Sequence, residues 1–149
     1  MIIDAQNTFD PTGTLASTIG ANTPSVNTLD LGVARDLGPG EEIKLAIAIA
    51  TAFTAAGAAT LNVQLQGSPD NATWTTIQET SAMPVANLVA GFILNLEIAS
   101  AAPGQARPRY YRLNYQVATG PFTAGVFSSF FTLDRQNAIY YPPGVVVFN

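Results

Sequence analysis

The chain has 149 residues, a net charge of −4, no Cys and no His. The missing Cys removes a disulfide framework and thiolate metal sites. The missing His removes the side chain that most often does acid–base chemistry near neutral pH. With 48% hydrophobic and only 11% charged residues, the sequence suits one core of a single domain, since domains cluster at about 100–150 residues.

Residues 1–24 show little periodicity and are rich in Thr, Asn, Gly and Pro. Phe9-Asp10-Pro11-Thr12-Gly13 and Asn22-Thr23-Pro24 read as turns. An extended N-terminal arm is expected here, with at most one edge strand near Leu15–Ile19. Ser25–Leu31 is predicted as a strand ended by Gly32, and Asp36-Leu37-Gly38-Pro39-Gly40 as a tight connection. In Ile43–Ala50, Ile43, Leu45, Ile47 and Ile49 alternate with Lys44 and three alanines, which is strand periodicity. Thr60–Gln66 places Leu61, Val63 and Leu65 on one face. Trp74–Thr80 follows the turn Gly67-Ser68-Pro69-Asp70-Asn71. Phe92, Leu94, Leu96 and Ile98 alternate through Asn87–Ala99. Arg109–Ala118 pairs with Phe122–Leu133 across the hairpin signal Thr119-Gly120-Pro121. Val145–Phe148 is a last apolar stretch, in a tail of about residues 136–149 that also holds Tyr141-Pro142-Pro143-Gly144.

About eight strands with turns between them, and no amphipathic helix, predict an all-β fold. The expected architecture is a single antiparallel jelly-roll-like β-sandwich over residues 1–149. Leu45, Ile47, Ile49, Leu61, Val63, Leu94, Leu96, Leu113 and Val126 are its expected inward positions. Leu45 to Leu61 carries no charge, but it is mostly Ala and Thr and shorter than the roughly 20 strongly apolar residues that span a bilayer. The first residues lack the basic region and apolar run of a secretory signal. A soluble protein without membrane contact is expected.

The chemistry-bearing residues are few. Arg107 to Tyr115 interleaves bases and aromatics, the ingredients of single-strand nucleic-acid binding. On a strand, however, Arg109, Tyr111, Leu113 and Tyr115 fall on one face and Tyr110, Arg112, Asn114 and Gln116 on the other. The bases are split and the chain is acidic, so direct nucleic-acid binding is not expected. Asp70-Asn71-Ala72-Thr73-Trp74 fits a hairpin loop, or alternatively a sugar-binding loop with Trp74 as its platform. Asp30, Asp36, Glu41 and Glu42 are close in sequence, but nothing in their spacing shows the oxygen-rich cage of a Ca²⁺ site or the facing carboxylates of a glycosidase. No cofactor, no metal and no catalysis are expected. The apolar ends stand out instead: Ile2, Ile3, Phe9, Tyr140, Tyr141, Val145, Val147 and Phe148 are the candidate contacts with neighbouring subunits. The alternative is that both ends fold back as edge strands of the sandwich.

Several short segments occur together in a familiar order. They are Met1-Ile2-Ile3-Asp4, Leu29 to Glu41 (LDLGVARDLGPGE), Gly57-Ala58-Ala59-Thr60-Leu61, Met83 to Gly91 (MPVANLVAG), Arg109 to Tyr115 (RYYRLNY), and Ala118 to Gly125 (ATGPFTAG). In this order they resemble the capsid cement, or decoration, proteins of tailed bacteriophages, in the family typified by a short-tailed Bordetella phage. The resemblance implies a jelly-roll structural protein on the outer surface of the virion capsid. It also implies a homo-oligomer there, a dimer or trimer, bridging neighbouring subunits of the major capsid protein, with synthesis in the bacterial host cytoplasm. The family brings no catalytic residues. A carbohydrate- or receptor-binding sandwich of the spike or lectin type is the alternative function. With no metal cage in the sequence, Ca²⁺ and then a chelator are expected to leave the melting temperature unchanged; a shift of many degrees that the chelator reverses would contradict this.

Overall fold

In a computed structural model, which describes residues 5–35, 37, 43–98 and 107–133, the alternating segments become ten strands in two antiparallel sheets. The strands are β1 (Thr8–Leu15), β2 (Thr23–Pro24), β3 (Leu29–Asp30), β4 (Lys44–Ala55), β5 (Thr60–Ser68), β6 (Thr75–Glu79), β7 (Met83–Pro84), β8 (Ile93–Glu97), β9 (Tyr110–Ala118) and β10 (Phe122–Thr132). One sheet runs β1-β10-β4-β8. The other runs β2-β9-β5-β6, with β3 also on β9 and β7 also on β5. The pairing is nested. The first strand pairs with the last, β2 and β3 with β9, β4 with β8, and β5 with β6 and β7. A long antiparallel ribbon closed at the β5–β6 turn and rolled into two sheets is a jelly roll. Two of its eight strand positions are each broken into halves, β2 with β3 and β6 with β7.

The first break has a visible cause. Ser25 Oγ accepts from the Leu113 amide at 3.1 Å and donates to the Asn27 carbonyl at 2.8 Å. A side chain thereby takes a ladder position, and the predicted continuous strand Ser25–Leu31 is interrupted.

The two sheets enclose Leu45, Ile47, Ile49, Leu61, Val63, Leu65, Tyr111, Leu113 and Tyr115, as the alternation requires. Leu94 and Leu96 pack against this core but are only partly buried, because β8 is an edge strand. Val126 is a correction: it is half-buried and outside the core cluster, while Phe127 points inward. The β4–β10 register shifts between Phe122 and Phe127, so the inward row changes from even to odd numbers. Gly125 makes the shift possible. Its φ is +134°, and a Cβ there would lie 2.5 Å from Phe53 Cδ1. Phe53 in turn meets Phe122 and Phe127 edge to face, at centroid distances of 5.1 and 5.8 Å.

The arm is a second correction. Residues 8–15 form an edge strand of the first sheet, and the segment expected as a strand, Leu15–Ile19, holds a 3-10 turn at Ala16–Thr18. Phe9 was expected to reach a neighbouring subunit. It is instead fully buried and packs edge to face on Phe131 at 4.8 Å. Ile2, Ile3, Tyr140, Tyr141, Val145, Val147 and Phe148 lie outside the described residues. Among the described residues, no helix is long and apolar enough to cross a membrane. Leu113→Ala, at a position with no exposure, is expected to lower unfolding free energy by about 2–5 kcal/mol, and Leu96→Ala by less, measured by urea denaturation.

Candidate functional site

Two groups of polar residues stand out, one inside the sandwich and one on its surface. The inner group centres on Asp10, which is 1% exposed. Its Oδ2 accepts from the Tyr115 and Ser129 hydroxyls, each at 2.5 Å, and its Oδ1 accepts from the Val26 amide at 3.1 Å. The two hydroxyl oxygens lie 3.1 Å apart. β1 supplies the acid, β9 of the other sheet the phenol, and β10 the serine, so the cluster ties the sheets together across the core. Burial pushes the Tyr115 phenol well above the ordinary tyrosine pKa, and the Asp10 carboxylate pushes it further. The cluster is enclosed, offers no route to a substrate and reads as structure.

The outer group lies on the face of the β2-β9-β5-β6 sheet that points away from the core. On β5 and β9 the even-numbered residues face out. Their amides bond in a row across the strands: Asn114 Nδ2 donates to Asn22 Oδ1 at 2.7 Å and to Gln64 Oε1 at 3.1 Å, and Gln64 Nε2 donates to Glu79 Oε2 at 3.0 Å. Gln66 Nε2 donates to Gln64 Oε1 at 3.3 Å, while Gln66 Oε1 accepts from Arg112 Nε at 2.9 Å. The Arg112 guanidinium carbon sits 4.2 Å from the centre of the Trp74 ring, a cation–π stack. Asn22, Asn114, Gln64, Gln66 and Glu79 are thus linked in one hydrogen-bonded group on this face, while Asn62 Oδ1, on the same row of β5, is buried without a partner.

The sequence motifs distribute themselves differently around these groups. Asp70 is committed to its own hairpin. It accepts from the Ala72 and Thr73 amides at 2.9 and 2.7 Å and from the Ser68 hydroxyl at 2.8 Å, and these bonds hold its pKa well below the usual carboxylate range. The loop is the plain hairpin, with Asn71 in the left-handed region at φ +59°. Arg109 makes a two-pronged pair with Asp30, at 2.6 and 2.7 Å, which fastens β3 to the start of β9. That contact lowers the Asp30 pKa and raises that of Arg109. Asp36, Glu41 and Glu42 lie outside the described residues. Among the described residues, no group of three His, Cys, Asp or Glu side chains could hold a metal. The sequence named Trp74 and Arg112 in separate motifs, with nothing to show that β5 would bring β6 and β9 to its two sides.

Residues 14–131, more than half of the chain, match the Bbp16 family. The chain belongs to the Bbp16 family. That family derives from a Bordetella phage and points to a phage protein. No curated protein matches the chain. The matched span runs from the end of β1 through nearly all of β10, so it contains the Arg112–Trp74 face, Tyr115 and Ser129, but not Asp10.

Two outcomes follow for the buried cluster. Asp10→Ala leaves two hydroxyls and an amide without their acceptor and is expected to cost about 2–4 kcal/mol of stability, measured by urea denaturation. The Tyr115 proton is held more tightly in the folded chain than in the unfolded one. Its contribution is therefore complete below the unfolded pKa of about 10 and is lost as pH rises above it, at about 1.4 kcal/mol per pH unit. Tyr115→Phe is expected to be less stable near pH 8 but to lack this alkaline decline, as measured by denaturation midpoints from pH 8 to 11.

Proposed function

We propose that this chain is a capsid cement protein, a structural protein that binds the outside of the assembled phage head and bridges neighbouring major capsid subunits. Membership of the Bbp16 family is the observation that carries the reading, and the resemblance of its segments to phage cement proteins gives it its specific form. The physical chemistry is compatible at each step. A jelly roll of two packed sheets is a stiff block, suited to bracing. The net charge of −4 suits the outside of a shell whose inside holds DNA. A protein that binds only the assembled shell stabilises it by mass action, by about 2.7 kcal/mol per site at a hundred times Kd. Repetition over many sites multiplies that effect. We read the protein as non-enzymatic, because the sequence has no His or Cys and Asp10 is locked in the core.

The lectin-type alternative finds little in the geometry. One face of Trp74 is covered by Arg112, and the Asp70 oxygens are used within their own loop.

Co-sedimentation with purified heads tests the proposal. The protein is expected to pellet with expanded, empty heads and not with free coat subunits, and heads lacking it are expected to rupture at lower temperature until it is added back. Deleting residues 139–149, which include Tyr140, Tyr141, Val145, Val147 and Phe148, is expected to weaken the binding. If the intact protein stays in the supernatant at high concentration while binding a glycan array, the cement reading is wrong.

A further inference from the structure

Arg112 is held in place on two sides, and among the described residues no carboxylate pairs with it. Trp74 stacks beneath its guanidinium and Gln66 accepts from its Nε, and neither contact is a carboxylate. Partial burial without an opposing charge lowers its pKa from the ordinary arginine value. Arg109, three residues earlier, has the Asp30 carboxylate in a two-pronged pair. Arg112 therefore presents guanidinium donors from a fixed position on a face where Asn22, Gln64, Gln66 and Asn114 are already hydrogen-bonded to one another.

Each of these features favours a flat protein partner bearing an acidic side chain. A stacked, hydrogen-bonded arginine has little freedom left to lose when it binds. Arg and Trp are the residues that most often dominate binding energy at protein interfaces. Amides that already satisfy one another leave few broken hydrogen bonds when a partner covers them. An anchored positive charge among mostly neutral side chains selects a carboxylate opposite it. A nucleic-acid strand would need several bases along its phosphates, and Glu79 at the rim of this face opposes one.

We propose that the outer face of the β2-β9-β5-β6 sheet, centred on Arg112 and Trp74, is the surface that docks on the coat subunits, and that Arg112 receives an Asp or Glu side chain from them. This inference rests on the head-binding reading above.

The test is co-sedimentation of wild-type protein, Arg112→Glu, Arg112→Gln and Ala50→Glu with empty heads at increasing salt, each variant first checked for an unchanged strand spectrum by circular dichroism. Ala50 is exposed on β4, in the other sheet. Arg112→Glu is expected to weaken binding roughly 30-fold or more, the effect of losing an interface anchor. Arg112→Gln is expected to weaken it less and to flatten the salt dependence, and Ala50→Glu to bind as wild type. Should Arg112→Glu fail to fold, the Arg112→Gln result decides. If wild type binds heads and the Arg112 variants bind equally well, the docking face is wrong while head binding stands. Loss of binding in Ala50→Glu alone assigns the contact to the other sheet. If wild type itself does not bind heads, the cement reading falls and this inference falls with it.

Discussion

A carboxylate in the core, Asp10, is the contact on which the closure of this sandwich depends. A buried ion costs several kcal/mol in lost hydration, and hydrogen bonds to a charged group return about 1.5–3 kcal/mol each. Three donors from three places in the chain meet at this carboxylate: the Tyr115 and Ser129 hydroxyls and the Val26 amide. The penalty is thereby offset only when β1, β9, β10 and the segment after β2 are all in place at once. That requirement is one of specificity. The β1–β10 ladder is interrupted by register shifts on both sides of Asp10, so backbone pairing alone leaves the edge strand free to slip. A carboxylate that opposes Ser129 in the ladder, next to Phe9 in its aromatic pocket, fixes the register where the ladder does not.

The outer surface is governed by a different constraint, the scarcity of charge. With six basic and ten acidic residues in 149, the outward rows of β5 and β9 are mostly uncharged, and Gln64, Gln66 and Asn114 on them bond along and across the strands. Such a network stiffens the sheet without the rotamer freedom and hydration of lysine and glutamate. It also leaves a single anchored arginine as the dominant electrostatic feature of that face. Rigidity inside and pre-paired polarity outside suit the structural role proposed above.

The relation of fold to function is correspondingly simple. Rolling one long ribbon places the first and last of the described strands, β1 and β10, side by side in one sheet. The closed end of the ribbon is the β5–β6 turn, braced by Asp70, close to the Trp74–Arg112 stack. A tight turn held by side-chain-to-backbone bonds keeps Trp74 at the start of β6 and thereby sets the platform on which Arg112 rests.

The sequence by itself determined the elements with regular alternation. β4, β5 and β9 each repeat apolar and polar residues with period two, so their inward rows follow from local geometry alone. Their pairing did not follow. The hairpin expected between Arg109–Ala118 and Phe122–Leu133 does not form, because the chain crosses between the sheets at Thr119-Gly120-Pro121, so that β9 pairs with β2, β3 and β5 and β10 with β1 and β4. What failed in the sequence reading failed where a distant contact overrides a local pattern. Phe9 and Asp10 sit beside Pro11 and Gly13 and look like a turn, and only Tyr115 and Ser129, brought from more than a hundred residues away, make that segment a strand. Val126 was expected to point inward, and only the packing of Gly125 against Phe53 allows the register shift that turns Phe127 in. Arg112 and Trp74 were legible as residues and not as a pair, because β6 and β9 meet only through β5. Alternation is written in neighbouring residues, and register, bulges and cross-strand partners are decided by what the folded chain places opposite them.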